Sequence, residues 1–216
     1  MTNDQRPEAL VAYITRRVQT DIARHKFPPG SRLSASNLAG EYDVSHIPVR
    51  EALSSMAAKG YIVHHRSRGF FTREVHREEI EDIYRWRQVL ETEAYRAAVP
   101  KITDEDIARM RTILGEMQKL TQNEDRIRYM ELNREFHFVV FQRAGSPILL
   151  QLLTYLWDIS APYVALDLID SDHAQKDHLE QLELYEARDA EGIIKAMDEH
   201  RGFRLDMVAK SDIVTD

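Results

Sequence analysis

The stretch VSHIPVREALSSMAAKGYIVHHRSRGFFT, Val44 to Thr72, limits the fold of this 216-residue chain more than any other. Ser45 suits a helix N-cap, and Pro48 fits the first turn that follows, where its fixed φ and missing N–H cost little. Val49, Leu53 and Met56 recur at the spacing of one helical face, and Gly60 closes the helix. Beyond it, YIVHH and GFFTREV are short β-prone runs joined by Arg66, Ser67 and Arg68. A strand pair so small needs a helical partner to be stable. Upstream, Leu10, Ile14, Val18 and Ile22 mark a helix after Pro7 that FPPGSRL ends, and a second short helix fits Ser36 to Tyr42. Helix, helix, helix, hairpin is the order of a winged helix-turn-helix, with the helix that starts at Ser45 positioned to enter a major groove.

Charge divides the chain in the same place. Residues 1–75 carry eleven Lys and Arg against seven Asp and Glu, a balance of +4. Residues 76–216 carry eighteen against twenty-nine, or −11, and the total is −7. Only the first third suits a polyanion such as double-stranded DNA. The shift near residues 73–78 marks the boundary between a DNA-binding domain, 1–75, and a second domain, 76–216.

From His76 onward every strong signal is helical, so the fold class is mainly α: a winged helix-turn-helix followed by an all-α bundle. HREEIEDIYRWRQVLETEAYRAAV is a long amphipathic run stopped by Pro100, and Thr103 with Asp106 forms a capping box for a helix through Ile107, Met110, Leu114, Met117 and Leu120. Asn123 and Glu124 mark a break, a helix from Asp125 to Ala144 ends at Gly145, and Ser146 with Pro147 restarts the chain. Further helices fill Ile148 to Lys210, interrupted near 170–172 and 189–192, and the last residues fray. The chain has no cysteine, no apolar leader and no stretch long enough to span a bilayer, which suits a soluble, cytoplasmic protein with no membrane partner.

Three histidines fall on inward faces. Asn133 and His137 are one helical turn apart beside Phe136, Val140 and Phe141; His178 shares a stripe with Leu182 and Tyr185, and His200 with Ile193, Met197 and Phe203. Inward imidazoles invite a divalent cation, and an imidazole-rich set suits Zn or Ni better than Mn or Mg. An isolated His on an apolar face is otherwise a hydrogen-bonded core residue. Tyr84 and Trp86 read as core or interface, and Tyr155, Trp157 and Tyr163 as pocket wall or packing.

The segments PPGSRL, LAGEYDVS, PVREALSSMAAKGYI, Gly69 and WRQVLETEAYRAA together resemble the GntR family of bacterial transcription regulators, in the FadR-like subgroup with an all-helical FCD ligand-binding domain. The resemblance implies a homodimer that binds a palindromic operator and responds to a small carboxylate effector. It places DNA contacts at Ser45, His46 and Arg50, with Arg68 and Gly69 on the wing, where Arg66 is a further candidate. His46 and Ser36 stand where many relatives have arginines, so the operator is expected to differ from the common half-site. Taken alone, Arg50 beside Glu51 is a surface cation, and Arg66 and Arg68 keep a hairpin edge soluble. The resemblance also implies a metal held by Asn133, His137, His178 and His200. Asn133 replaces an aspartate there, which removes a charge and weakens affinity. Arg87 aligns with an arginine that reaches the effector, and an ion pair with Glu91 is its alternative.

The expected function is therefore a ligand-responsive repressor and not an enzyme. A metal-dependent enzyme acting on a small acid is the alternative, but the sequence holds no His-Glu-x-x-His, Glu-x-x-His pair, phosphate loop or nucleophile elbow. A third possibility is an acidic helical scaffold with a vestigial winged helix.

Overall fold

The four-residue spacing that begins at Leu10 becomes α1 (Pro7–Ala23), whose Ile14 and Val18 are fully buried. The computed structural model describes residues 7–74, 76–120, 126–167 and 171–209, without the side chains of 7–8, 126, 162–167, 171–175, 204 and 207–209. The chain divides into two units, Met1–Val75 and His76–Asp216.

In the first unit, β1 (Arg32–Leu33) precedes α2 (Ala35–Tyr42) and α3 (His46–Ala58), and β2 (Ile62–His65) and β3 (Gly69–Thr72) complete an antiparallel sheet in the order β1-β3-β2. Ser34 begins α2 by accepting the Asn37 N–H, one residue earlier than the apolar pattern indicates. Asp43 follows in a left-handed conformation, φ 53°, which turns the chain into α3. Ser45 stands at the N-cap of α3 as expected, but its side chain makes no capping bond. Val49, Ala52, Leu53 and Met56 bury the inner face of α3 against α1 and α2. Each side chain the size of Leu contributes about 1.5–3 kcal/mol by leaving water.

Strand β1 was not foreseen, because two residues carry no period. It pairs Arg32 with Phe71 and Leu33 with Phe70. Thr72 locks this corner: its hydroxyl donates to the Pro28 carbonyl at 2.6 Å and accepts from the Ser31 N–H at 2.8 Å. GFFTREV shortens to Gly69–Thr72 because only those residues find partners in the sheet.

The second unit is helical: α4 (Arg77–Ala98), a 3-10 turn at Val99–Lys101, α5 (Asp104–Met117), α6 (Arg126–Phe141), a 3-10 turn at Gln142–Ala144, α7 (Pro147–Asp167), α8 (Ser171–Glu186) and α9 (Ala190–Ala209). The Thr103–Asp106 capping box forms as the sequence indicates. Asp106 also takes a two-pronged grip from Arg143, both bonds 2.7 Å, tying the start of α5 to the turn after α6. Gly145, at φ 76°, ends that turn, and Ser146 accepts the Leu149 N–H at the head of α7. The α8–α9 break falls at residues 187–189, where Asp189 accepts the Gly192 N–H at 2.9 Å. The break expected at Asn123 and Glu124 and the fraying of the last residues lie outside the described residues. α4 packs against α7 and α9, α5 against α6 and α8, and Tyr95, Phe136, Phe141 and Tyr185 fill the common core. Among the described residues no helix is long and apolar enough to cross a membrane.

Candidate nucleic-acid interface and buried polar centre

One face of α3 is buried, so the opposite face is presented to solvent. Ser45, His46, Ile47, Arg50, Glu51 and Ser54 are all exposed along it. Among the described residues Arg50 has no ion-pair or hydrogen-bond partner, so its guanidinium is open to a ligand, as it would also be in a plain surface cation. Ser36, exposed on α2, and His46, the first residue of α3, meet through a 3.1 Å bond between Oγ and Nε2. The two positions that depart from the family pattern are thus one hydrogen-bonded unit spanning both helices.

The wing ends in a tight turn closed by the Arg68 N–H donating to the His65 carbonyl at 3.0 Å, with Arg66, Ser67 and Arg68 exposed. Gly69 sits at φ 96°, where a Cβ is strained. The Arg68 guanidinium lies 5.6 Å from the Phe71 ring centroid. His64 stacks on Phe70 at 4.5 Å and His65 meets Phe71 edge-on at 5.3 Å, so both are packing residues on an exposed hairpin. Arg32 is a cation the sequence argument missed: exposed on β1, its Nε lies 4.0 Å from the point a Gly69 Cβ would occupy. Its place in PPGSRL gave no hint, because only the unforeseen strand carries it to the wing.

The second unit contains a buried polar centre. Glu91, fully buried on α4, accepts from Arg87 Nε at 2.9 Å, from Trp157 Nε1 at 2.8 Å and from Arg201 of α9. The ion pair with Glu91 offered as the alternative reading of Arg87 is therefore present. Arg87 also donates to Ser160 Oγ at 3.2 Å and lies 4.1 Å from the Trp157 ring centroid. Arg201 makes a second ion pair with Asp198. Arg201 was missed because its neighbour His200 already claimed the inward face of α9, and a lone Arg beside it reads as surface.

Trp157 joins this centre to the histidines, with the His137 ring 5.1 Å away and His178 5.5 Å beyond His137. His137 and His178 are 2% and 0% exposed, and burial, followed by the fields of His178, His200, Arg87 and Arg201, holds His137 well below its ordinary pKa, as a neutral ring. His178 Nε2 bonds Asn133 Oδ1 at 2.8 Å. An amide oxygen only accepts, so this bond puts the His178 proton on Nε2. His200 Nδ1 meets the Asp177 carboxylate at 2.7 Å, the arrangement that turns the other ring nitrogen outward as a ligand.

As they stand, no three His, Asp or Glu side chains among the described residues are gathered to hold an ion. The donor chemistry nevertheless suits one. His137 is neutral, its buried Nδ1 has no hydrogen-bond partner, and His200 is oriented by a carboxylate. The buried Gln181 Oε1 and Arg201 Nε are also without partners. Unsatisfied buried groups cost about 1–3 kcal/mol each, which a polar ligand would relieve. Of the aromatic residues expected at a pocket wall, Trp157 is there, Tyr155 is exposed, and the Tyr163 side chain lies outside the described residues. Trp86 and Phe203, expected inward or at an interface, are 49% and 40% exposed.

Comparison with known proteins agrees with both units. Residues 10–72 match the family described as "Bacterial regulatory proteins, gntR family" and residues 82–203 match the FCD domain. The chain is 29% identical over 190 residues to the HTH-type transcriptional regulator McbR of Escherichia coli K12, covering 83% of this chain and 85% of that one. It is 33% identical over 117 residues to the Nta operon transcriptional regulator of Aminobacter aminovorans, 53% of this chain and 54% of that one. The solved E. coli McbR/YncC structure superposes with a TM-score of 0.74 at 23% identity, covering 93% of this chain and 97% of that one.

Proposed function

The chain belongs to the gntR family of bacterial regulatory proteins and carries an FCD domain, so it is a DNA-binding transcriptional regulator and not an enzyme, and from that premise we propose that it is a cytoplasmic, effector-responsive repressor. It binds a palindromic operator as a homodimer through α3 and the wing, and a small carboxylate in the buried centre of the helical unit changes that affinity. The observation that carries this reading is the buried centre itself. Two guanidinium groups converge on one carboxylate beside the neutral His137 imidazole and unsatisfied polar atoms. Such a set is expensive to bury unless a polar ligand completes it.

A zinc or nickel ion would be held by His137, His178 and His200, with Asn133 as a neutral fourth donor once the bond between His178 and Asn133 is given up. When bound, the cation supplies an electrophilic anchor for the effector's carboxylate. His137 offers its unpaired Nδ1, Asp177 orients His200, and Arg87 positions the remaining polar groups of the effector. The exposed apolar stripe Ile148, Leu152 and Tyr155 on α7, with Trp86 and Val89 on the adjacent α4, supports a dimer. Repression is the sign expected of a dimer straddling a promoter, because it excludes polymerase sterically.

Anisotropy titration of the full chain on duplex DNA from upstream of its own gene tests the reading. Binding at nanomolar to micromolar concentration is expected, shifted by one member of a panel of small carboxylates with zinc present. Specific binding that no acid shifts, with or without metal, would remove the effector half of the proposal.

A further inference from the structure

The outward face of α3 holds an anomaly that neither the cations nor the core explain. Ile47 is 70% exposed, the most exposed large apolar side chain described in either unit. Every other large apolar residue of α3 is inward: Val49 and Leu53 are fully buried and Met56 nearly so. Tyr13, the other exposed large apolar side chain among the described residues of the first unit, is covered in part by Arg17, which donates to its hydroxyl at 3.1 Å. His46 does not shield Ile47, because its ring is engaged with Ser36 on α2. Nor does Ile47 serve the helix, since a β-branched residue is a weaker helix former than the straight-chain residues an exposed site accommodates.

Its position supplies the missing role. Ile47 stands in the first turn of α3, between His46 and Arg50, and it shares a face with Arg50 three residues on. The first turn of a recognition helix is the part that meets base edges. In the major groove the one apolar feature of any base pair is the C5-methyl of thymine. The side chain is also stiff at χ1, so little rotamer freedom is lost when it seats against a methyl.

We infer that Ile47 is a specificity-determining residue that reads a thymine methyl in each operator half-site, next to the base pair contacted by Arg50. The inference rests on α3 entering the major groove. Ser36 and His46, a hydrogen-bonded pair, do not demand a guanine as two arginines would, so base choice at this end of the helix falls to an apolar contact.

The test uses a duplex selected from a randomised pool by the full-length chain, with each thymine replaced singly by deoxyuridine, which deletes only the methyl group. Affinity is read by anisotropy for the natural chain, Ile47→Ala and Arg50→Ala. At one thymine per half-site the natural chain is expected to lose about four-fold, the ratio that burying one methylene-sized group gives. Ile47→Ala should bind the thymine duplex correspondingly more weakly and be indifferent to that replacement. The exposed position lets the variant fold, and an unchanged circular dichroism spectrum and melting midpoint confirm it. A flat scan, an equal loss in Ile47→Ala, or a selected site without thymine at that place overturns the inference while leaving the DNA-binding reading intact. If Arg50→Ala binds as tightly as the natural chain, the placement of α3 fails and the inference falls with it.

Discussion

Trp157 donates its indole N–H to the Glu91 carboxylate at 2.8 Å, and the same carboxylate holds Arg87 from α4 and Arg201 from α9. Three helices are therefore keyed to one buried charge. Removing that charge strands the buried Arg87 guanidinium without a counter-ion and leaves the equally buried Arg201 with Asp198 alone. Glu91→Ala is expected to lower the unfolding free energy by roughly 3–5 kcal/mol, the range for breaking a buried pair. Urea unfolding of the full chain, followed by tryptophan fluorescence, measures it. A loss below about 1 kcal/mol would show that the centre is not a keystone of the bundle.

The metal proposal has its own handle in Asp177, which touches no ion. Its carboxylate fixes the His200 tautomer. Asp177→Asn should weaken zinc binding about 10–100-fold, the usual cost of losing a supporting carboxylate. His137→Ala should weaken it further. Competition against a chromogenic chelator gives both constants, and equal zinc affinity in all three proteins would argue against these ligands.

Acid should loosen the join between α5 and the turn after α6. Burial works to raise the Asp106 carboxyl, but the Arg143 guanidinium and the N–H and hydroxyl of Thr103 outweigh it, so its pKa lies below the ordinary 3.8. The folded state favours the ionised form. Its contribution is fully present above the unfolded pKa of about 4 and disappears as pH falls through the folded value. The natural chain should exceed Asp106→Asn in urea midpoint by a constant margin from about pH 7 to 5 and by less and less below about pH 4. A margin that does not change with pH would point to the capping hydrogen bonds alone.

Dimer formation is checked on α7, where Ile148, Leu152 and Tyr155 are 68%, 47% and 55% exposed on one face. Leu152→Glu places a charge within that stripe. Sedimentation should show the natural chain as a dimer and the variant as a folded monomer at micromolar concentration, with weaker operator binding. A variant that sediments as the natural chain does would move the interface elsewhere.

Sequence reasoning succeeded where a period or a cap carried the information. The helix of Leu10, Ile14 and Val18, the Thr103–Asp106 box and the stop at Gly145 are local, and local rules suffice for them. Strand β1 escaped because Arg32 and Leu33 acquire strand geometry only by pairing with Phe71 and Phe70, some forty residues later. Arg201 escaped for a related reason: it falls on the inward face with Ile193 and Met197, but its partner Glu91 lies 110 residues away, and without that partner an Arg reads as surface. His178 was legible as inward, yet its bond to Asn133 was not, since spacing gives a face and not a donor–acceptor pair.

The knot of bonds that Thr72 ties to Pro28 and Ser31 fastens the wing at its root. Beyond that knot and the β2–β3 ladder only the short turn between His65 and Gly69 lies outside the sheet pairing. In the proposed DNA complex, a tip that short would lose few torsions against a sugar–phosphate rail, so the entropic toll of docking would be small and nearly independent of the sequence being gripped. On that reading the wing would lend tenacity, and discrimination among promoters would be left to the helix.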